Sequence, residues 1–292
     1  MTEPTQDPVF IVGTGRCGST MLHDALCLHN DVCWLTPLAD RYPWRPGLNA
    51  RALDLGRRVL PQRALRRLLP PVEPYRFFEG AYGGFSRPYR DLTEGDYRPG
   101  AAKKFRSRVA AASVSSKQFI AKYTGWSRMS LLSKVFPDAR FVHIVRDGRA
   151  VVSSALKAGY FDGWAGPENW ARGRLRDNQQ QAWERSGESY VTLAAIGWEN
   201  RIHSFQETAA AFDENHFLEI RYEDFCDDPA ARAEEILAFM GLSEASNRRF
   251  FKALATMEFR SANDGWRRDL TEQQQAELSD YLGELNASYG YT

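Results

Sequence analysis

The sequence predicts an α/β protein, a single domain over residues 1–292 with a central parallel β-sheet flanked by helices. Two places carry this prediction, because at each a short apolar run passes through a glycine-containing turn into a helical pattern. These runs are residues 9–12 and 139–145. Strands of this apolar kind are buried on both faces in parallel sheets, and the chain is long enough for one such sheet with its helices.

The turn after the first strand predicts an anion-binding loop. Glycines let the backbone curl so that N–H groups converge, and the start of a helix adds partial positive charge. Gly13, Gly18 and Thr20 have the spacing of the nucleoside-triphosphate loop. However, Ser19 stands where that loop has its lysine, which argues against ATP hydrolysis or kinase chemistry. Arg16 brings a cation into the loop instead.

Residues 36–116 differ in character, because prolines interrupt them throughout and aromatic residues lie between the prolines. Regular sheet is not expected here. We predict an irregular insertion on the substrate side of the sheet, with one short basic amphipathic helix over residues 57–69. Its aromatic side chains would form the walls of a pocket for an acceptor with an apolar or aromatic body. The alternative is that they fill a second small core.

A second anion site is predicted further along the chain. A strand over residues 113–123 ends near Lys122, which the parallel arrangement places at the ligand-binding edge of the sheet. The strand over residues 139–145 runs straight into Arg146, and Ser154 lies two helical turns later. A forked, permanently charged donor together with a hydroxyl suits a phosphate monoester.

The remainder of the chain alternates helices with one more strand. Residues 159–189 are polar and contain tryptophans, which predicts a loop and a helix that form a lid beside the site. A long amphipathic helix is predicted over residues 190–212, a strand over residues 217–222 and a final helix from Glu272.

Both anion sites resemble those of sulfotransferases that use 3′-phosphoadenosine 5′-phosphosulfate (PAPS), specifically the soluble bacterial type. The resemblance runs in order along nearly the whole chain and implies a P-loop-like fold. It also implies transfer of the sulfuryl group from PAPS to a hydroxyl or amine of an acceptor, with release of adenosine 3′,5′-bisphosphate (PAP). The loop residues that would hold the 5′-phosphosulfate are Gly15, Arg16, Cys17, Gly18, Ser19 and Thr20.

The same resemblance assigns the rest of the nucleotide site. Arg146 and Ser154 would hold the 3′-phosphate, and Tyr222 would lie near the adenine. A basic loop before the final helix would close over the nucleotide, because free amides, a glycine and several arginines there suit an anion. Its expected ligand residues are Arg260, Trp266 and Arg267.

The resemblance implies that Arg16 and Lys122 are catalytic, because they would neutralise the charge that develops during transfer. It also implies a metal-free reaction. The general base is less directly indicated: cytosolic family members have a histidine two residues after the lysine, where this chain has Thr124. Asp40 is our candidate for the base, and His23 is the next.

Two other functions stay open at this point. A P-loop nucleotide kinase that has lost its lysine would turn over ATP with Mg²⁺. A non-catalytic nucleotide-binding protein would bind PAP and transfer nothing to any acceptor.

Composition excludes other classes of function. A net charge of +1 gives no reason to expect a nucleic-acid partner, and the four cysteines show no metal-ligand spacing. Residues 1–7 are polar, are expected to be flexible and do not resemble a signal sequence. Because no apolar run has the length of a membrane span, the sequence predicts a cytoplasmic protein.

Overall fold

A single parallel sheet organises the computed structural model, which describes residues 7–85, 89–170, 172–242 and 244–291. Its strands are β1 (Val9–Gly13), β2 (Val32–Cys33), β3 (Gln118–Thr124), β4 (Arg140–Val145) and β5 (Phe217–Arg221). Their spatial order is β2-β3-β1-β4-β5, and every neighbouring pair is parallel. The predicted fold class, α/β with a central parallel sheet, is confirmed.

Strand β1 lies in the middle of the sheet because its residues are apolar on both faces. Val9 pairs with Ile120 of β3 on one side and with Arg140 of β4 on the other. All five residues of β1 are buried. At its carboxyl end, Gly13 pairs with Thr124, so the loop that follows β1 begins beside the end of β3.

Eight helices among the described residues lie in the part of the chain up to residue 156. They are α1 (Ser19–Leu26), α2 (Pro37–Arg41), α3 (Gly47–Val59), α4 (Gln62–Leu68), α5 (Tyr75–Ala81), α6 (Pro99–Ala112), α7 (Met129–Val135) and α8 (Gly148–Leu156). The insertion at residues 36–116 is therefore mainly helical, and the prediction of irregular structure was wrong. Several of its prolines stand at or just before a helix start, where a missing N–H costs nothing. Residues 86–88 of this insertion lie outside the described part.

The predicted helix over residues 57–69 is divided between α3 and α4. Leu60 is extended, with φ −125° and ψ 142°, and it immediately precedes Pro61. A proline ring disfavours helical backbone at the residue before it, so α3 ends there and α4 begins anew after Pro61.

Seven more helices among the described residues follow, and they pack beside β4 and β5 or complete the site. They are α9 (Asp177–Arg185), α10 (Tyr190–Ala209), α11 (Tyr222–Asp227), α12 (Pro229–Phe239), α13 (Glu244–Leu254), α14 (Gly265–Asp269) and α15 (Glu272–Ser288). Short 3₁₀ turns occur at Glu94–Asp96, Gly163–Ala165 and Pro167–Asn169. The predicted lid segment, apart from residue 171, thus consists of two 3₁₀ turns, α9 and connecting loops.

The aromatic residues of the insertion divide between the core and the surface. Phe77, Phe78 and Tyr82 are almost completely buried, and Phe78 packs edge-on against Phe105 and Tyr123 of the main core. Others are exposed, namely Trp44, Tyr89 and Tyr97. Much of this aromatic surface is therefore buried in the main core and forms neither a pocket wall nor a separate small core.

Within the described residues, no helix combines the length and the apolar character that crossing a membrane requires. The four cysteines are all free and buried.

Candidate active site

The loop after β1 turns sharply because three of its residues have left-handed backbone. Gly15, Arg16 and Gly18 have φ angles of 83°, 58° and 92°. Gly18 is the N-cap of α1, and its helix start receives no hydrogen bond from a capping side chain. The first amide groups of α1 are therefore open to an anion, as the sequence predicted for a phosphate loop.

Close packing also requires glycine at position 18. A Cβ atom there would lie 2.3 Å from Cδ2 of Tyr222, so the ring of Tyr222 supports the loop from β5 and α11. Cys17 faces the opposite way: its buried sulfur would lie 2.5 Å from a Cβ at Gly13. Burial raises the pKa of the Cys17 thiol, so this residue can meet an anion only through its backbone N–H.

The structure brings the two predicted anion sites together. Arg16 Nε donates a hydrogen bond to Ser154 Oγ at 2.9 Å. Arg146 NH1 in turn donates to the backbone carbonyl of Arg16 at 3.0 Å. The loop after β1 and the turn after β4 thus form one continuous cationic surface at the carboxyl ends of adjacent strands.

Arg146 is positioned by residues from the far end of the chain. Its Nε donates to Asn263 Oδ1 at 2.9 Å, and its NH2 donates to the carbonyl of Ala262 at 2.9 Å. The guanidinium carbon lies 4.3 Å from the centre of the Tyr222 ring. A guanidinium group has more N–H donors than these bonds use, so donors remain for a ligand. Sequence reasoning missed Asn263, which has no motif to mark it.

The turn after β4 is itself fixed by a capping network. Asp147 caps α8 by accepting from the backbone N–H of Arg149 at 2.9 Å. Asn286 of α15 accepts from the N–H of Gly148 at 3.1 Å and donates to Asp147 Oδ1 at 3.2 Å. The final helix therefore holds the second anion site in shape, although it lies far away in sequence.

Lys122 lies at the end of β3, as predicted, and faces the loop after β1. Its Nζ donates to Thr20 Oγ1 at 2.8 Å and lies 3.4 Å from Glu73 Oε2. The side chains of Lys122 and Glu73 are only 9% and 10% exposed. A lysine thus reaches the loop from the neighbouring strand, although Ser19 replaces the lysine of the nucleoside-triphosphate loop.

Glu73 is a carboxylate beside Lys122 that sequence reasoning missed. It accepts hydrogen bonds from the backbone N–H of Thr124 at 2.6 Å and from Thr124 Oγ1 at 3.1 Å. Thr124 occupies the position at which the resemblance led us to look for a histidine base. Glu73 lies between two prolines in a segment without periodic pattern, so no local signal identified it.

The two predicted base candidates are placed differently. Asp40 Oδ1 accepts from the backbone N–H of Arg76 at 2.8 Å, in the first turn of α5, so this carboxylate caps a helix. His23 is buried, and burial, followed by the nearby charge of Lys122, lowers its pKa to about 3. A histidine that is neutral and enclosed at pH 7 is a poor base for a substrate in the crevice.

The basic loop near the C-terminus is only partly directed at the site. Trp266 is buried, with the guanidinium groups of Arg149 and Arg267 over its ring at 5.0 and 4.6 Å. The side chains of Arg260 and Arg267 are 84% and 55% exposed. Arg260 pairs with Glu258 at 3.2 Å. Neither arginine contacts Arg146 or Arg16 among the contacts described.

A cavity of about 410 Å³ opens next to the loop after β1. It is lined by the loop, by the end of β3, by α8 and by the segment predicted to be a lid. The lining residues are Thr14, Gly15, Arg16, Tyr75, Phe85, Thr124, Gly125, Arg128, Val151, Ala155, Tyr160, Asp162, Arg172 and Arg201. Its volume lies within the range of small-molecule sites. Because Thr124 and Arg16 both border it, a ligand in this cavity would lie beside Glu73 and the loop.

Within the described part of the chain, no group of three or more His, Cys, Asp and Glu side chains is arranged to hold a metal ion.

Solved structures share the fold at low sequence identity. Sulfotransferase STF9 from Mycobacterium avium superposes with a TM-score of 0.63 at 15% identity, covering 99% of this chain and 78% of that one. The sulfotransferase domain of the Synechococcus PCC 7002 olefin synthase gives a TM-score of 0.54 at 19% identity, with 100% and 98% coverage. These likenesses establish the three-dimensional fold.

Sequence comparison also matches this chain to sulfotransferases. Omega-hydroxy-beta-dihydromenaquinone-9 sulfotransferase Stf3, from Mycobacterium tuberculosis and from Mycobacterium bovis, is 28% identical over 169 residues. This match covers 56% of the present chain and 38% of the relative, so the chain spans well under half the length of the curated relatives it matches. The sequence model of the Sulfotransferase family matches residues 8–246. Since that match takes in both anion sites and most of the chain, the protein belongs to the sulfotransferase family.

Proposed function

We propose that this protein transfers the sulfuryl group of PAPS to a hydroxyl or amine of an acceptor and releases PAP. The observation that carries the proposal is the pair of contacts that joins two anion-binding turns, Arg146 NH1 to the carbonyl of Arg16 and Arg16 Nε to Ser154 Oγ. A nucleotide with one anionic group at each end of its ribose needs two such sites side by side.

The residues present fit PAPS in number and in chemistry. The uncapped start of α1, Arg16 and the hydroxyl of Thr20 offer donors for the 5′-phosphosulfate. Arg146 and Ser154 offer a guanidinium group and a hydroxyl for the 3′-phosphate. Tyr222, packed against Gly18 and under Arg146, would lie near the adenine at the same edge. Backbone amides and fixed cations match the charge of the ligand.

When bound, PAPS supplies the sulfuryl group, whose sulfur gains a bond to the acceptor as its bond to the phosphate oxygen breaks. Arg16 and Lys122 would stabilise the negative charge that moves onto that phosphate. Lys122 is already directed at the loop by its hydrogen bond to Thr20.

Glu73 replaces Asp40 in our proposal as the general base. Its carboxylate is held by Thr124, which borders the cavity, and it lies 3.4 Å from Lys122 Nζ. The general base must reach the acceptor proton while the cations reach the leaving phosphate. The short distance between Glu73 and Lys122 supports these two roles, because it would bring the base and a cation to the same place. The proton of the acceptor would pass to Glu73.

An acceptor with an apolar or aromatic part fits the cavity. Phe85, Val151 and Ala155 contribute apolar surface next to the reacting groups. The name of the relative Stf3 describes an acceptor of this kind, a hydroxylated menaquinone. We propose an acceptor with an apolar or aromatic part for the present protein as well.

Calorimetric titration tests the nucleotide site. We expect PAP to bind the wild type tightly without Mg²⁺, ADP with Mg²⁺ to bind at least tenfold more weakly, and Arg146→Ala to weaken PAP binding at least tenfold. Arg58→Ala is the matched control, because Arg58 is 71% exposed on α3 and distant in sequence from both turns.

Preference for ADP with Mg²⁺, unaffected by Arg146→Ala, would contradict the proposal and favour the kinase alternative. Tight PAP binding without transfer from PAPS to any hydroxyl or amine in a broad acceptor panel would favour the non-catalytic alternative.

A further inference from the structure

Three arginines that belong to neither anion-binding turn line the cavity. Arg128, Arg172 and Arg201 contribute to its wall together with Arg16 of the loop. Among the described lining residues, Asp162 is the one carboxylate. A partly buried surface with more cationic than anionic side chains favours an anionic ligand, which offsets the excess charge.

Two of these arginines have polar contacts that account for part of their donors. Arg172 Nε donates to Asp162 Oδ1 at 3.1 Å, and its side chain is 8% exposed. Arg128 NH2 donates to the carbonyl of Phe85 at 2.7 Å, and its guanidinium carbon lies 5.0 Å from the centre of that ring. The buried Nε of Arg128 has no hydrogen-bond partner among the described residues.

Arg201 is the least satisfied member of the group. Its NH1 makes one long hydrogen bond, 3.4 Å, to the carbonyl of Thr14. Its buried Nε has no partner within the described ranges. Burial, and then the neighbouring charge of Arg172, lowers the pKa of Arg201 to about 9, so the group is still charged at pH 7.

The cavity also has an apolar part. Phe85, Val151 and Ala155 line the same space, and Thr124 marks the end at which Glu73 is held. The cavity therefore has an end at Thr124, which holds Glu73, an apolar wall, and arginines that outnumber the one carboxylate among its described lining residues.

We propose that the acceptor is an amphiphilic anion, a hydroxylated compound whose carboxylate or phosphate group is bound by Arg172 and Arg201. This inference rests on the proposed function, because it assigns the acceptor side of the same site. Planar guanidinium groups bind oxyanions through paired hydrogen bonds, and an oxyanion here would also supply the partner that the buried Nε of Arg201 lacks among the described residues. The apolar wall holds the body, and the hydroxyl meets Glu73.

The experiment measures acceptor binding to protein saturated with PAP. The probes are 12-hydroxydodecanoate, its methyl ester and 12-hydroxydodecyl phosphate, titrated by calorimetry. We expect at least one of the two anions to bind at least tenfold more tightly than the neutral ester. Arg172→Gln and Arg201→Gln should each weaken anion binding at least fivefold and ester binding less than twofold. Arg58→Gln, on the exposed face of α3, should change neither.

The inference would be overturned if the ester bound as tightly as both anions, if no probe bound, or if the preference survived in both variants. It would also be overturned if the variants weakened PAP tenfold and left the anion preference intact, because the arginines would then serve the nucleotide. PAP affinity within threefold of wild type shows that each variant is folded. Absence of PAP binding to the wild type would instead refute the proposed function, so the two failures are distinguishable.

Discussion

Thr124 donates two hydrogen bonds to Glu73, one from its backbone N–H and one from its hydroxyl. Thr124 is the last residue of β3 and pairs with Gly13 of β1, so the carboxylate is anchored to the rigid edge of the sheet. The same carboxylate is 3.4 Å from Lys122, two residues earlier on that strand. A side chain from the helical insertion thereby becomes a fixed part of the crevice.

Replacing Glu73 should abolish most transfer and spare nucleotide binding. General-base catalysis contributes on the order of 10²- to 10⁴-fold to rate, so Glu73→Gln should lower kcat at least about 100-fold. The dissociation constant of PAP should stay within threefold, because the nucleotide donors are elsewhere. PAP release from PAPS, with the best acceptor of a hydroxyl panel, measures kcat, and calorimetry measures PAP binding.

Asp40→Asn is the matched control for Glu73→Gln. The amide can still accept the hydrogen bond from the N–H of Arg76, so the start of α5 is preserved. Transfer should remain within about threefold of wild type. If Asp40→Asn lost most of its transfer activity and Glu73→Gln kept most of it, Asp40 would be the general base.

Gly18→Ala should damage both the loop and the fold. The residue has φ 92°, and a Cβ there would lie 2.3 Å from the Tyr222 ring. Left-handed backbone alone costs an L-residue about 1–2 kcal/mol, and displacement of the ring adds to this. We expect the free energy of unfolding in urea to fall by about 2 kcal/mol or more, and PAP affinity to fall at least tenfold.

Gly100→Ala provides the comparison for Gly18→Ala. Gly100 lies in the first turn of α6, and a Cβ there meets nothing within 4 Å. Alanine in a helix is favoured over glycine by roughly 0.5–1 kcal/mol, so stability should be equal or higher. Equal stability of the two variants would contradict both the cost of the left-handed backbone at residue 18 and the cost of the contact with the Tyr222 ring.

His23 should make the protein less stable in mild acid. Its pKa falls from 6.5 to about 3 on folding, so between these values the unfolded chain binds more protons than the folded one. Stability therefore rises with pH across this window and is lost as pH falls below 6.5. From pH 7 to pH 5 this histidine should account for about 2 kcal/mol.

Urea unfolding of the wild type and His23→Gln at pH 7 and pH 5 isolates this contribution, because the carboxylates titrate in both proteins. From pH 7 to pH 5, the free energy of unfolding of the variant should fall by about 2 kcal/mol less than that of the wild type. Identical losses would show that the side chain is protonated within the folded protein.

Local parts of the protein could be predicted from consecutive residues. Apolar runs before glycine turns identified β1, β4 and both anion sites, since a strand, a turn and a helix start are set by consecutive residues. Arg16, Lys122, Arg146 and Ser154 were accordingly predicted where the structure brings them together. Most helices of the insertion were missed, because prolines at helix starts have the same appearance as prolines in loops.

The distant side chains that complete the site could not be predicted in this way, because tertiary packing brings them there. Glu73 reaches Lys122 across the boundary between the insertion and β3, and Asn263 reaches Arg146 from near the C-terminus. Arg201 enters the cavity from the middle of α10. None of these residues belongs to a motif, because their positions follow from how helices pack over the sheet. That packing depends on the whole core, which no short stretch of sequence specifies.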